Sequence, residues 1–116
     1  MDLELRGKRA AITGASKGIG VAIARSLAAE GVGLAICSRT EADIQQVATE
    51  LAKKYGLSAH ALAVDLSSQE GVERFVAFAM EGLGGVDILV NNAGAIPRGM
   101  IDSLDEEWQQ SYALKF

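Results

Sequence analysis

Short apolar runs alternate with longer amphipathic ones along this chain, and a glycine closes most of them. Residues 8–13 (KRAAIT) read as a buried strand that stops at Gly14. Between Ile19 and Glu30, the positions Ile19, Ala22, Ile23, Ser26 and Leu27 recur at helical spacing, and Gly31 ends that helix. Residues 33–37 (GLAIC) form a second apolar strand. A helix over 41–55 follows, with Ile44, Val47, Ala48 and Leu51 on one face and Gly56 as its stop. Residues 59–64 (AHALAV) read as a third strand ending at Asp65, and 69–81 as a helix burying Val72, Phe75, Val76 and Ala79. Residues 86–90 (VDILV) make a fourth strand, 91–100 a loop, and a last helix begins near Leu104, capped by Ser103 with Glu106 three residues on.

Strands alternating with helices of this length predict βαβ units and a parallel sheet. The strands are almost wholly apolar, as strands covered on both faces must be. The expected fold is α/β: one Rossmann-type, doubly wound parallel sheet of strand order 3-2-1-4, occupying residues 1–116 and cut short after about four βα units.

Composition narrows the function without naming it. With 49% hydrophobic and 22% charged residues, the 116-residue chain has the balance of one globular domain. A formal net charge of -4 and no basic cluster leave no electrostatic footprint for nucleic acid or an anionic membrane. The start, MDLELRGKRAAITG, lacks the apolar core of a secretion signal, and no run is long enough to span a bilayer, so a cytoplasmic location is expected. Cys37 is the only cysteine and His60 the only histidine, so no internal disulfide and no metal site is expected. Cys37 reads as a small buried hydrophobe.

Chemistry concentrates between the first strand and the first helix. The segment Thr13-Gly14-Ala15-Ser16-Lys17-Gly18-Ile19-Gly20 offers bare backbone, free N–H donors and a helix N-terminus, which is what a bound phosphate needs. Gly14 can take the turn off the strand, Gly18 can let a pyrophosphate approach the backbone, and Gly20 can let the helix pack close to the sheet. The spacing is Gly-x3-Gly-x-Gly rather than the usual Gly-x-Gly-x2-Gly. A glycine-rich turn that merely starts a helix is the plainer alternative.

Three segments in order, TGASKGIG at 13–20, Asp65-Leu66 after the third strand and NNAG at 91–94 after the fourth, resemble the short-chain dehydrogenase/reductase family over almost the whole chain. The resemblance implies an oxidoreductase that moves hydride between a nicotinamide cofactor and a small-molecule carbonyl or alcohol. It assigns cofactor binding to Thr13, Gly14, Ser16, Lys17, Gly18, Ile19, Gly20, Ser38, Arg39, Asp65, Leu66, Asn92, Ala93 and Gly94. Thr13 is expected to tie the first strand to the NNAG segment. Asp65 is expected to accept a hydrogen bond from the adenine amino group; the other reading is a helix N-cap.

Cofactor choice turns on the end of the second strand. An acid there accepts from the ribose hydroxyls of NAD, whereas a cation holds the 2′-phosphate of NADP. Here Ser38 stands where NAD-using members often place Asp, Arg39 follows, and Lys17 adds a second cation. A guanidinium grips phosphate in two places. NADP(H) is therefore preferred over NAD(H), with a solvated loop residue as the plain reading of Arg39.

The family's catalytic Tyr-x3-Lys pair does not occur in this sequence. Neither Tyr55 nor Tyr112 begins it, since Ala59 and Phe116 stand where its Lys would be. Lys115 occupies the position, counted from Trp108, where the family places a catalytic Asn. Apart from Lys115 at that position, no catalytic residue is expected within the chain, and no turnover is expected from the chain alone. A non-catalytic NADP(H)-binding module or sensor is the alternative from a different class. A methyltransferase-type nucleotide fold would want an acid where Ser38-Arg39 stand. The open apolar edge of the fourth strand predicts a homo-oligomer.

Overall fold

The computed structural model describes residues 5–16 and 18–92. Along them strands and helices alternate as β1 Arg9–Thr13, α1 Gly18–Ala29, β2 Gly33–Ser38, α2 Glu41–Tyr55, β3 Ala59–Ala63, α3 Gln69–Leu83 and β4 Ile88–Asn91. The strands pair in parallel in the order β3-β2-β1-β4, as the pattern predicts.

Side chains alternate across a strand, and both faces of this sheet are used. Ala10 and Ile12 of β1, Leu34 and Ile36 of β2, and Ile88 and Val90 of β4 belong to one core, closed by Ala24 and Ala28 of α1 and by Ile44, Val47, Ala48 and Leu51 of α2. Ala11, Ala35, Cys37 and Leu89 belong to the other, closed by Val72, Phe75, Val76 and Ala79 of α3. The central strands are buried on both sides, which is why their sequences carry no polar alternation. β3 and β4 lie at the margins and are half-buried through most of their length.

The buried faces expected of α2 and α3 are the observed ones. α1 is the expected helix, and of its recurring positions Ile23 and Leu27 pack partly buried against the core. Its buried stripe is Gly20, Ala24 and Ala28, while Ile19 is 70% exposed and Ala22 and Ser26 face solvent. Three small residues at four-residue steps let α1 lie close to the sheet, and that approach outweighs burial of the larger Ile19. Asn91 also differs from expectation. It closes β4, in register with Thr13, instead of opening a loop.

β4 starts at Ile88, two residues later than its apolar run suggests. Val86 is buried in the α3-side core. Asp87 holds the base of β1: its N–H donates to Arg9 O at 2.8 Å, and its carboxylate accepts from Arg9 N at 2.9 Å and Arg9 Nε at 3.1 Å. The Arg9 guanidinium holds the Asp87 carboxyl below the usual carboxylate range. No helix among the described residues is long and apolar enough to cross a membrane. The expected helix near Leu104, its Ser103 cap, Trp108 and Tyr112 lie outside the described residues.

Candidate functional site

From β1 the chain moves outward through α1, β2, α2 and β3, and α3 then returns it to the other side of β1 as β4. The strand order therefore diverges at β1, outward to β2 and β3 on one side and to β4 on the other. In open parallel sheets that divergence opens the crevice in which ligands bind. Thr13, Gly14, Asn91 and Asn92 all lie there.

The crevice floor is knotted by side chains. Thr13 is fully buried, and its hydroxyl has a partner on each side: Oγ1 donates to Asn91 Oδ1 at 3.0 Å and accepts from Asn92 N at 2.9 Å. Asn92 Nδ2 donates in turn to Gly14 O at 3.2 Å. The expectation that Thr13 ties the first strand to the Asn-rich segment is met. Leaving such a buried hydroxyl unpaired costs about 1–3 kcal/mol, so the knot both specifies the junction and stabilises it.

Above the floor, Gly14 (φ 65°) and Gly18 (φ 57°) are left-handed, a conformation that any side chain would strain. Space above Gly18 is open, since a Cβ built there would meet nothing within 4 Å. Gly20 is the opposite case. Its Cβ would collide with Gly14 O and lie 2.8 Å from Asn92 Nδ2. The first turn of α1 begins at Gly18, and the leading N–H groups of a helix have no carbonyl one turn earlier to receive them. Bare backbone, open space and the leading N–H groups of a helix are the features that a bound phosphate needs. Ile19 is exposed at 70%, and Ser16 is half-buried in the turn.

Cys37 supports this loop from below, a role with no signal in the sequence. Ala15 N donates to Cys37 O at 3.1 Å, and the Gly14 N–H points at the sulfur. Burial pushes the thiol up to about 12, with the Gly14 N–H pulling weakly the other way. At neutral pH Cys37 is thus an uncharged packing group, as expected.

At the end of β2, Ser38 Oγ accepts from Thr40 N and donates to Thr40 O, both at 3.3 Å. This local turn leaves Arg39 exposed at its tip. After β3, the Ser67 hydroxyl and then Ser67 N, which donates to Asp65 Oδ1 at 2.9 Å, hold the Asp65 carboxyl below its usual range, with a smaller pull from the charge on Arg39. The helix N-cap is Ser68, whose Oγ accepts from Gly71 N at 3.0 Å, so Asp65 is not the cap. Leu66 turns into the α3-side core.

Of the expected site residues, Thr13, Gly14, Ser16, Gly18, Ile19, Gly20, Ser38, Arg39, Asp65, Leu66 and Asn92 thus stand at the carboxyl edge of the sheet or in the turns leaving it. Lys17, Ala93, Gly94 and Lys115 lie outside the described residues. A depression of about 250 Å³ lined by Lys8, Arg9, Gly33, Leu57 and Ser58 lies at the opposite, amino edge and takes no part in this arrangement. His60 packs edge-on against Phe78 of α3, with ring centroids 6.4 Å apart.

Known proteins resemble this chain in sequence and in fold. A 2,3-dihydro-2,3-dihydroxybenzoate dehydrogenase of Bacillus subtilis is 37% identical over 111 residues, covering 95% of this chain and 42% of that protein. An L-rhamnose 1-dehydrogenase (NADP(+)) of Thermoplasma acidophilum is 39% identical over 112 residues, covering 92% and 44%. The crystal structure of L-sorbose reductase from Gluconobacter frateurii, complexed with NADPH and L-sorbose, superposes with a TM-score of 0.79 at 40% identity, covering 94% of this chain and 42% of that one. The chain spans about two fifths of the length of these proteins. The family model for short chain dehydrogenase matches residues 8–116, and the chain belongs to that family.

Proposed function

We propose that this chain is the cofactor-binding part of an oxidoreductase that transfers hydride between NADP(H) and a small carbonyl or alcohol substrate. The observation that carries the proposal is the junction of Thr13, Gly14, Gly20, Asn91 and Asn92 at the carboxyl edge of β1 and β4. It fixes a glycine turn whose donors and open space above Gly18 fit a pyrophosphate. Residues 14–20 would hold that group, Asp65 and the Leu66 backbone the adenine, and Asn92 with the residues after it the ribose region.

When bound, the cofactor supplies the hydride for the substrate carbon, and a proton goes separately to the substrate oxygen. The chain's own part is to bind and orient. Exposed Arg39 at the end of β2 is the group suited to a 2′-phosphate, and no acid stands beside it on that strand to repel one. Two of the similar proteins are an NADP(+)-dependent enzyme and a complex with NADPH, which supports the same choice. The Tyr-x3-Lys pair is absent from the sequence, so we assign no proton-transfer residue within it. A cytoplasmic location and self-association through the margin of β4 complete the proposal.

The test is calorimetric titration with NADPH and with NADH, on the protein and on Arg39→Asp. Tighter NADPH binding, reversed or erased by Arg39→Asp, supports the assignment. Relative affinities unchanged by the substitution refute the role of Arg39.

A further inference from the structure

We propose that Asp65 is a specificity-determining residue whose carboxylate, placed beside Arg39 across the paired ends of β2 and β3, offsets part of the positive charge that selects a 2′-phosphate. The inference rests on the reading of Arg39 given above.

The placement follows from register. Ser38 and Ala63 are the last paired residues of β2 and β3, and Val64 N donates to Ser38 O at 2.9 Å one step beyond. The two chains therefore leave the sheet side by side, with Arg39 the next residue on one and Asp65 the next on the other. Each turn is locked by its own short bond, Thr40 N to Ser38 Oγ and Ser67 N to Asp65 Oδ1, so the backbones that carry the two charges are fixed. Both side chains are exposed, and they do not close into a contact ion pair. Arg39 nonetheless acts on Asp65, helping to keep its carboxyl ionised after the two Ser67 bonds have had the larger effect. Such an influence is reciprocal: a cation that favours the carboxylate is itself partly neutralised by it.

The consequence differs between the two cofactors. A phosphate monoester carries a charge of roughly −1.5 to −2 at neutral pH. On Arg39 it would be drawn by the guanidinium and repelled by Asp65. The uncharged ribose diol of NAD(H) would feel little of either. The carboxylate therefore narrows the gap between the two cofactors, and its removal should widen it.

The experiment measures dissociation constants of NADPH and NADH for the full chain by calorimetry, at low and high salt, with Asp65→Asn, Asp65→Glu and Arg39→Ala. Asparagine retains the oxygen that accepts from Ser67 N and removes only the charge. The expected result is a rise in the NADPH-to-NADH affinity ratio of roughly two- to fivefold for Asp65→Asn at low salt, shrinking as salt is added, with Asp65→Glu close to the unsubstituted protein. An Asp65 that only binds adenine or shapes its turn would weaken both cofactors alike and leave the ratio unmoved, and that outcome overturns the proposal. If Arg39→Ala lowers the ratio while Asp65→Asn does not move it, the reading of Arg39 survives and this inference fails. If Arg39→Ala leaves the ratio unchanged, both fall together.

Discussion

Gly20 shows how a single missing methyl group holds the site together. Its Cα faces the carbonyl of Gly14, and Asn92 Nδ2 bonds that same carbonyl. Gly20→Ala forces the helix start away from the Gly14 carbonyl and displaces the Asn92 side chain as well. The substitution is expected to cost about 1–3 kcal/mol in urea unfolding and to weaken cofactor binding along with it. A Gly20→Ala protein of unchanged stability and affinity would mean that the helix start is not tightly seated. Asp87 offers a pH-dependent test. Its folded pKa is depressed, so its contribution is present above the unfolded value of about 3.9 and is lost as pH falls through the folded value. Asp87→Asn should therefore destabilise the protein by on the order of 1 kcal/mol at pH 7 and progressively less below pH 4, read from unfolding at both pH values. At this scale much of the site was legible in the sequence, because glycines with distinct duties and paired asparagines follow strand ends. The role of Asp65 was less so. Acceptors for helix N–H groups were available at both Asp65 and Ser68, and only the backbone path decides which one caps.

Periodicity locates all three described helices, and in α2 and α3, where large residues mark the buried side, it also finds that face. In α1 the buried side is Gly20, Ala24 and Ala28, whose small size is the point and leaves almost no hydrophobic signal. Ala24→Leu should accordingly cost about 1–3 kcal/mol by overpacking, while Ala22→Leu on the exposed side should stay within about 0.5 kcal/mol. Comparable costs for the two would show that the helix is rotated relative to this account. The start of β4 was hidden for another reason. Val86 extends the apolar run but belongs to the core beneath α3, and the Arg9–Asp87 contact that sets the register joins residues 78 apart.

For the whole molecule, sheet order fixes where chemistry can occur. The order β3-β2-β1-β4 places the divergence between β1 and β4, and the expected cofactor residues within the described part gather at that edge and in the turns beside it. The order was legible because each strand is followed by a helix long enough for a crossover, and few topologies satisfy that alternation. Among the described residues β4 lies at the margin of the sheet, with half-buried Ile88, Leu89 and Val90. Self-association at high concentration is the expected outcome in sedimentation, and a monomer throughout would count against an edge-driven contact. Titration with NADPH and then with NADH asks whether the edge at Gly14–Gly20 and Arg39 binds a phosphorylated nicotinamide cofactor. Saturable NADPH binding, tighter than NADH binding, is the expected result. Equal affinity, or tighter NADH, would contradict the role given to Arg39, and binding of neither would contradict the site itself.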